Sequence, residues 1–273
     1  MKCVLGMLVA VVAFGQNQTP SVVNARFETR AFSGDLSAQI KSAPPAWFGY
    51  GIKTKRNRDD YCYGYGTRLE RNDHSGDALV QSTRPVALEG TDANALLFRV
   101  ENNQITKMRV FPMDCALDAG GLPFIWITNV PGAQSVTFLR GLVRQGDVRQ
   151  LENDGLLGLS LEEDPAALDA LVDFAKSDPS AHVREQALFW LAQKAGARAV
   201  ATISDAILND PDTQVKKRAV FALSQLPADE GVPKLIAIAR TQRNPEVRKQ
   251  AFFWLGQSKD PRALAFFQEV LSK

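Results

Sequence analysis

One run of residues occurs three times at a fixed spacing. Val183-Arg-Glu-Gln-Ala187-Leu-Phe189-Trp190-Leu191-Ala-Gln193 comes back as Val215-Lys-Lys-Arg-Ala219-Val-Phe221-Ala222-Leu223-Ser-Gln225. It comes back again as Val247-Arg-Lys-Gln-Ala251-Phe-Phe253-Trp254-Leu255-Gly-Gln257, each time 32 residues on. Self-similarity at such a period requires units that stack on their neighbours, because no unit buries its apolar face alone. A closed globule with one central core is excluded for this part of the chain.

Each unit predicts two helices. Val183, Ala187, Trp190 and Leu191 fall at i, i+4, i+7 and i+8, on one helical face. The second halves repeat on the same offset. Leu168, Val200, Val232 and Leu264 form one series, and Leu171, Ile203, Leu235 and Phe267 another. Asp178-Pro179 and Asp210-Pro211 read as unit starts, where Asp caps and Pro suits the first turn. Asn244-Pro245 falls two residues late in that scheme, and Asp260-Pro261 opens the last helix. One period further back, Leu151, Leu156 and Leu159 keep the pattern while Gly155 replaces the repeated Ala. The sequence thus predicts about four two-helix units over 147–273, the first degenerate.

The Val-Arg/Lys-x-x-Ala-x-x-x-Leu segment resembles the short HEAT-like repeats known from phycobilin lyases. That resemblance covers roughly the last 125 residues. It implies an α-solenoid and, since such arrays mostly serve as scaffolds and adaptors, a protein partner. Deoxyhypusine hydroxylase also resembles this array, but binds iron through repeated His-Glu pairs. The chain has two histidines, His74 and His182, and no His-Glu dipeptide, so that activity does not carry over. The lyases offer no residue signature to place on this sequence.

From about 25 to 146 the periodicity is extended. Residues 95–100 and 105–111 flank Asn102-Asn103, a hairpin turn. Residues 123–128 read as a buried strand, and 47–52 as another whose Gly49 and Gly51 admit bulges. Residues 133–143 read as one helix, and 16–24 as a flexible lead. The expected architecture is therefore α+β, a small β-rich domain (25–146) before a HEAT-like solenoid (147–273). Pro44-Pro-Ala-Trp-Phe-Gly-Tyr50 and Asp114-Cys-Ala-Leu-Asp-Ala-Gly-Gly-Leu-Pro123 resemble stretches of exported bacterial proteins that end in HEAT-like repeats, a resemblance that carries no activity with it.

Residues 1–15 read as a secretory signal peptide. Lys2 precedes an uncharged run from Cys3 to Phe14, about 12 residues and too short to span a bilayer. Ala13-Phe14-Gly15 suits cleavage, which leaves Cys62 and Cys115, an even pair in an exported chain and hence an expected disulfide. Two reduced thiols are the alternative. A periplasmic or secreted protein is the expectation, with no membrane insertion after cleavage; a retained, uncleaved anchor is the alternative. The net charge of +2 at pH 7 argues against nucleic acid as a partner.

Candidate sites each stand beside a plainer reading. Phe189, Phe221 and Phe253 lie about 240° round the helix from the repeated Val, off the core arc. They either pack between units or form an apolar ridge for a partner. Tyr61, Tyr63 and Tyr65 alternate, so on a strand they share one face and either stack on a sugar or peptide or simply pack. Asp114 and Asp118 read as turn caps before Gly120-Gly121 and, in the alternative, as calcium ligands. Lys53, Lys55, Arg56 and Arg58 read as a solvated loop ahead of Asp59 and Asp60 and, in the alternative, as an anion site. Arg184, Lys216 and Arg248 form a cationic ladder, most simply paired with nearby acids. No catalytic constellation and no cofactor motif stands out. The function expected is non-enzymatic binding of another protein through the solenoid. The alternative places a sugar or peptide ligand on the β-rich domain with the solenoid as a stalk, and a third reading is an enzyme of unfamiliar type. Leu156, Leu157, Leu159 and Leu161 of the first unit need a cover, for which the N-terminal domain is the expected source.

Overall fold

The computed structural model describes residues 19–54, 68–70, 92–146, 148–194 and 196–272. Residues 1–15, with the expected export signal, lie outside that set. Among the described residues no helix is long and apolar enough to cross a membrane. The chain divides into two compact units, Met1–Pro131 and Gly132–Lys273.

The first unit is strand-rich. In chain order it contains β1 (Ser21–Val23), β2 (Arg26–Ala31), α1 (Leu36–Gln39), β3 (Ala46–Lys53), β4 (Ala93–Glu101), β5 (Gln104–Pro112), β6 (Ala116–Asp118) and β7 (Pro123–Thr128). Among the described residues the main sheet runs β2-β7-β3-β4-β5. β3, β4 and β5 are antiparallel, whereas β7 lies parallel to both β2 and β3. β1 pairs with β6, so part of the segment read as a flexible lead is a strand.

The β4–β5 turn is the one the sequence predicts. Asn102 and Asn103 take φ of 51° and 59°, the two left-handed residues of a turn whose twist matches its flanking strands. β3 and β4 are buried over almost their whole length, because both faces of these central strands are covered. Gly49 does not mark a bulge. β3 keeps register with β4 from Ala46 opposite Val100 to Lys53 opposite Ala93. A Cβ on Gly49 would stand 2.7 Å from Leu97 and 3.0 Å from the Trp126 ring, so the glycine makes room for the indole. Glu70 ties the segment 68–70 to the sheet: its carboxylate accepts from Trp47 Nε1 at 2.8 Å and Arg99 Nε at 3.0 Å, and its carbonyl accepts from Lys107 at 3.0 Å.

The second unit is helical, with α2 (Gly132–Arg144), α3 (Arg149–Leu161), α4 (Pro165–Ser177), α5 (Ala181–Lys194), α6 (Ala197–Asn209), α7 (Thr213–Ser224), α8 (Ala228–Thr241), α9 (Pro245–Gln257) and α10 (Pro261–Leu271). From α3 onward the helices pair as α3–α4, α5–α6, α7–α8 and α9–α10, the units the period predicts. Val215, Ala219 and Leu223, like Val247, Ala251 and Leu255, are buried to 0–1% exposure, which fixes the core face of the first helices. First helices pack on each other in sequence, α3 on α5, α5 on α7 and α7 on α9.

The helix read at 133–143 belongs to this unit and not to the strands. α2 packs on α3 and α4, so the division falls after Pro131 and not at 146. Gly155 explains the contact: a Cβ there would lie 2.7 Å from Val143 Cγ2. Alanine in the other repeats becomes glycine here because α2 approaches this closely. α2 therefore contributes to covering Leu156 and Leu159, which are fully buried.

The caps also differ from the sequence reading. Asp178 and Asp210 end α4 and α6, and their carboxylates accept from Ser180 N and Asp212 N within the loops. The N-caps follow two residues later. Asp212 caps α7, and Asn244 caps α9 with Pro245 in the first turn. Asn244 is thus in register, 32 residues after Asp212. The cationic ladder closes the same loops. Arg184 forms a two-pronged pair with Asp210 (2.8 and 3.1 Å) and donates to the Asp178 carbonyl at 2.9 Å. Lys216 and Arg248 donate to the Leu208 and Gln242 carbonyls, so two of the three rungs hold backbone and not acids.

Candidate protein-interaction face

The outer side of the first helices carries the repeated phenylalanines. Phe189 on α5 and Phe221 on α7 are half-buried, whereas Phe253 on α9 is 53% exposed. Trp190 and Trp254 follow Phe189 and Phe253, while the middle repeat has Ala222. That substitution sets the contacts. Phe189 finds no indole in the next repeat and stacks on Phe221, centroids 6.2 Å apart and rings 1° from parallel. Phe221 in turn meets Trp254 at 4.9 Å, and Trp254 meets Phe253 edge-on at 5.0 Å. The five rings make one row across three helices, closed at its start by the Phe189–Trp190 contact at 4.9 Å.

Arg218 lies over this row. Its guanidinium carbon is 4.9 Å from the Phe221 centroid and 5.7 Å from that of Phe189. Such a contact stabilises by about 0.5–2 kcal/mol. At the same position the flanking repeats have Gln186 and Gln250. The face therefore combines aromatic surface with a fixed cation, the residue types enriched where proteins bind one another. Inter-repeat packing accounts for Phe189 and Phe221; it does not account for the exposure of Phe253.

A cavity of about 260 Å³ adjoins the row where α7, α8 and α9 meet, walled by Leu226, Val232, Leu235 and Trp254. Gln225 and Gln257 stand at its rim. A second cavity of about 210 Å³ surrounds the Arg184–Asp210 pair and belongs to the loop closure.

Other predicted sites are placed as follows. Tyr61, Tyr63, Tyr65, Cys62, Lys55, Arg56, Arg58 and His74 lie outside the described residues. Cys115 is buried and disulfide-bonded. Asp118 accepts from Gly120 N at 2.9 Å, which is turn capping, and stands 3.9 Å from Arg68. His182 is held by Asn153 at 2.8 Å, across two first helices. Among the described residues no group of three or more His, Cys, Asp or Glu gathers to hold a metal.

One titratable residue stands out only in the structure. Glu162, at the end of α3, is buried with Oε1 lacking a hydrogen-bond partner. Burial pushes its carboxyl up to about 7, against a hydrogen bond from Ser135 and the charge of Lys194, which pull it down. Glu162 directly follows Leu159-Ser160-Leu161, all of them buried, and nothing in the residue pattern alone marks it apart from its exposed neighbour Glu163.

The family model for HEAT repeats matches residues 168–239 and 200–273. No curated protein matches the chain. Among solved structures, human deoxyhypusine hydroxylase in complex with glycerol matches at a TM-score of 0.36 and 18% identity, over 49% of this chain and 43% of that one. The match thus spans less than half of that enzyme's length. With four helix pairs at a 32-residue period and the family match over 168–273, the C-terminal part of this chain is an array of HEAT-like repeats, preceded in the chain by a strand-rich unit.

Proposed function

We propose that this chain is a non-enzymatic, exported binding protein whose HEAT-like array engages another protein through the outer face of α5, α7 and α9. The observation that carries this reading is the aromatic row, which crosses three repeats and ends in Phe253 at 53% exposure. Large aromatic side chains set beside a cation provide anchor surface that keeps little conformational freedom to lose on binding. HEAT repeats as a class suggest a scaffold for protein interaction, which favours the same reading. Export rests on Lys2 and the short apolar run, and the bonded state of Cys115 fits an oxidising compartment, with Cys62 as its proposed partner.

Affinity capture from the native envelope fraction tests the proposal, using the full chain and its Phe253→Asp variant. Phe253 is exposed, so the variant keeps the fold. A partner retained by the parent chain and lost with Phe253→Asp is the expected result. Equal capture by both chains contradicts it.

A further inference from the structure

The repeated run ends each time in glutamine, Gln193, Gln225 and Gln257. A core position would be apolar, and these lie about 280° round the helix from the repeated Val, beside the phenylalanines. Gln225 and Gln257, from successive repeats, flank the mouth of the 260 Å³ cavity whose wall is Trp254. Its floor is Leu226, Val232 and Leu235, each at most 6% exposed, with Ser224 and Ser258 also in the lining, so the cavity is mainly apolar inside and amide-rimmed outside.

Resting on the protein-binding reading above, we propose that this cavity is the anchor site for an extended peptide segment of the partner. One large apolar side chain enters the cavity, and Gln225 and Gln257 hold the main chain on either side. The volume falls below the roughly 300–1,000 Å³ of small-molecule pockets and suits a single side chain. An amide side chain both donates and accepts, which matches a peptide group. A docked helix or a second copy of this array has its backbone groups already paired internally, and so leaves the glutamines nothing of that kind to hold. Neighbouring helices pack roughly 8–10 Å apart. Three residues of a polyproline-type segment advance about 9 Å, so such a segment meets one glutamine per turn as it crosses from α7 to α9.

Arg218 adds a charge requirement. Among the described residues no carboxylate pairs with it, and its guanidinium sits over the same Phe221 ring that touches Trp254. Arg218 and the cavity wall are therefore separated by one ring, about 10 Å at most, or about three extended residues. The segment recognised carries its apolar anchor and an Asp or Glu three positions apart.

A library of random, end-capped dodecapeptides displayed on phage and selected on the immobilised full chain tests this. Enrichment of peptides with a Leu, Met or Phe three residues from an acid is expected. In fluorescence anisotropy those peptides should bind about tenfold or more weakly to the Gln225→Leu/Gln257→Leu variant. Both positions are exposed, so circular dichroism and the melting temperature should match the parent. Raised ionic strength should weaken binding to the parent but not to an Arg218→Gln variant. No enrichment over an uncoated surface, or equal affinity for the glutamine variant, overturns the peptide proposal. If partner capture still depends on Phe253 in that case, the interaction face stands and only the peptide reading falls.

Discussion

Phe189 and Phe221 stand at the same position of successive repeats, their rings 6.2 Å apart and 1° from parallel. The relationship follows from the 32-residue period, since equal offsets on packed helices bring equal side chains together. A row of rings built this way is as rigid as the helices beneath it. Its rigidity rests on the closure between repeats, on the buried core face and on the packing of α2, each of which a substitution can test.

The Arg184–Asp210 pair closes the loop between repeats, with the two side chains 10% and 5% exposed. Asp210→Ala leaves the guanidinium buried and without its acid, and we expect a loss of about 3–5 kcal/mol in urea unfolding. Replacing both residues by leucine should cost less than that single change. A single variant with unchanged midpoint would show that the pair is not structural.

Ala219 is fully buried at the contact of α7 with its neighbours. Ala219→Asp places a carboxylate there without a partner, and we expect destabilisation by several kcal/mol, read as a fall in melting temperature. An unchanged melting temperature would mean that the core face of the repeats has been misplaced.

Glu162 gives the array a pH dependence of known sign. Its carboxyl is raised in the folded chain from 4.5 to about 7, so the folded state holds the proton more tightly than the unfolded state does. The stability associated with protonation is fully present below about 4.5 and is lost as pH rises to about 7. The loss amounts to about 3 kcal/mol at 1.36 kcal/mol per pH unit. Glu162→Gln should remove this component, so that the variant exceeds the parent in stability above pH 7 and the difference shrinks toward pH 4.5. Parallel stability curves for the two chains would contradict the assignment.

Gly155→Ala tests the packing of α2. Alanine favours a helix by about 0.5–1 kcal/mol over glycine, but its Cβ would lie 2.7 Å from Val143 Cγ2. We expect overpacking to win, with a net loss on the order of 1–2 kcal/mol. Val143→Ala in the same chain should recover part of it. A more stable Gly155→Ala protein would show that α2 yields easily.

The repeats were legible because the period repeats the environment as well as the residue, so Val183, Val215 and Val247 reinforce one another. The Asn102-Asn103 hairpin was legible because its turn chemistry is local. The pairing of β1 with β6 was not, since the partners are far apart in sequence and each strand is three residues long. The helical pattern of α2 is legible but its membership of the helical unit is not, because the reason for Gly155 is a tertiary contact with Val143. The role of Arg218 is not legible in the sequence, because only the position of Phe189 and Phe221 beneath it distinguishes it from any other arginine.

Site-specific photo-crosslinking tests the interaction face most directly. A benzophenone amino acid at position 253 keeps an aromatic ring at the exposed end of the row. The same group at Leu208, 63% exposed on α6, serves as the comparison on a second helix. Irradiation of cells making the full chain should give a discrete adduct from position 253 and none from position 208. Equal adducts from both positions, or none from 253, would contradict the account.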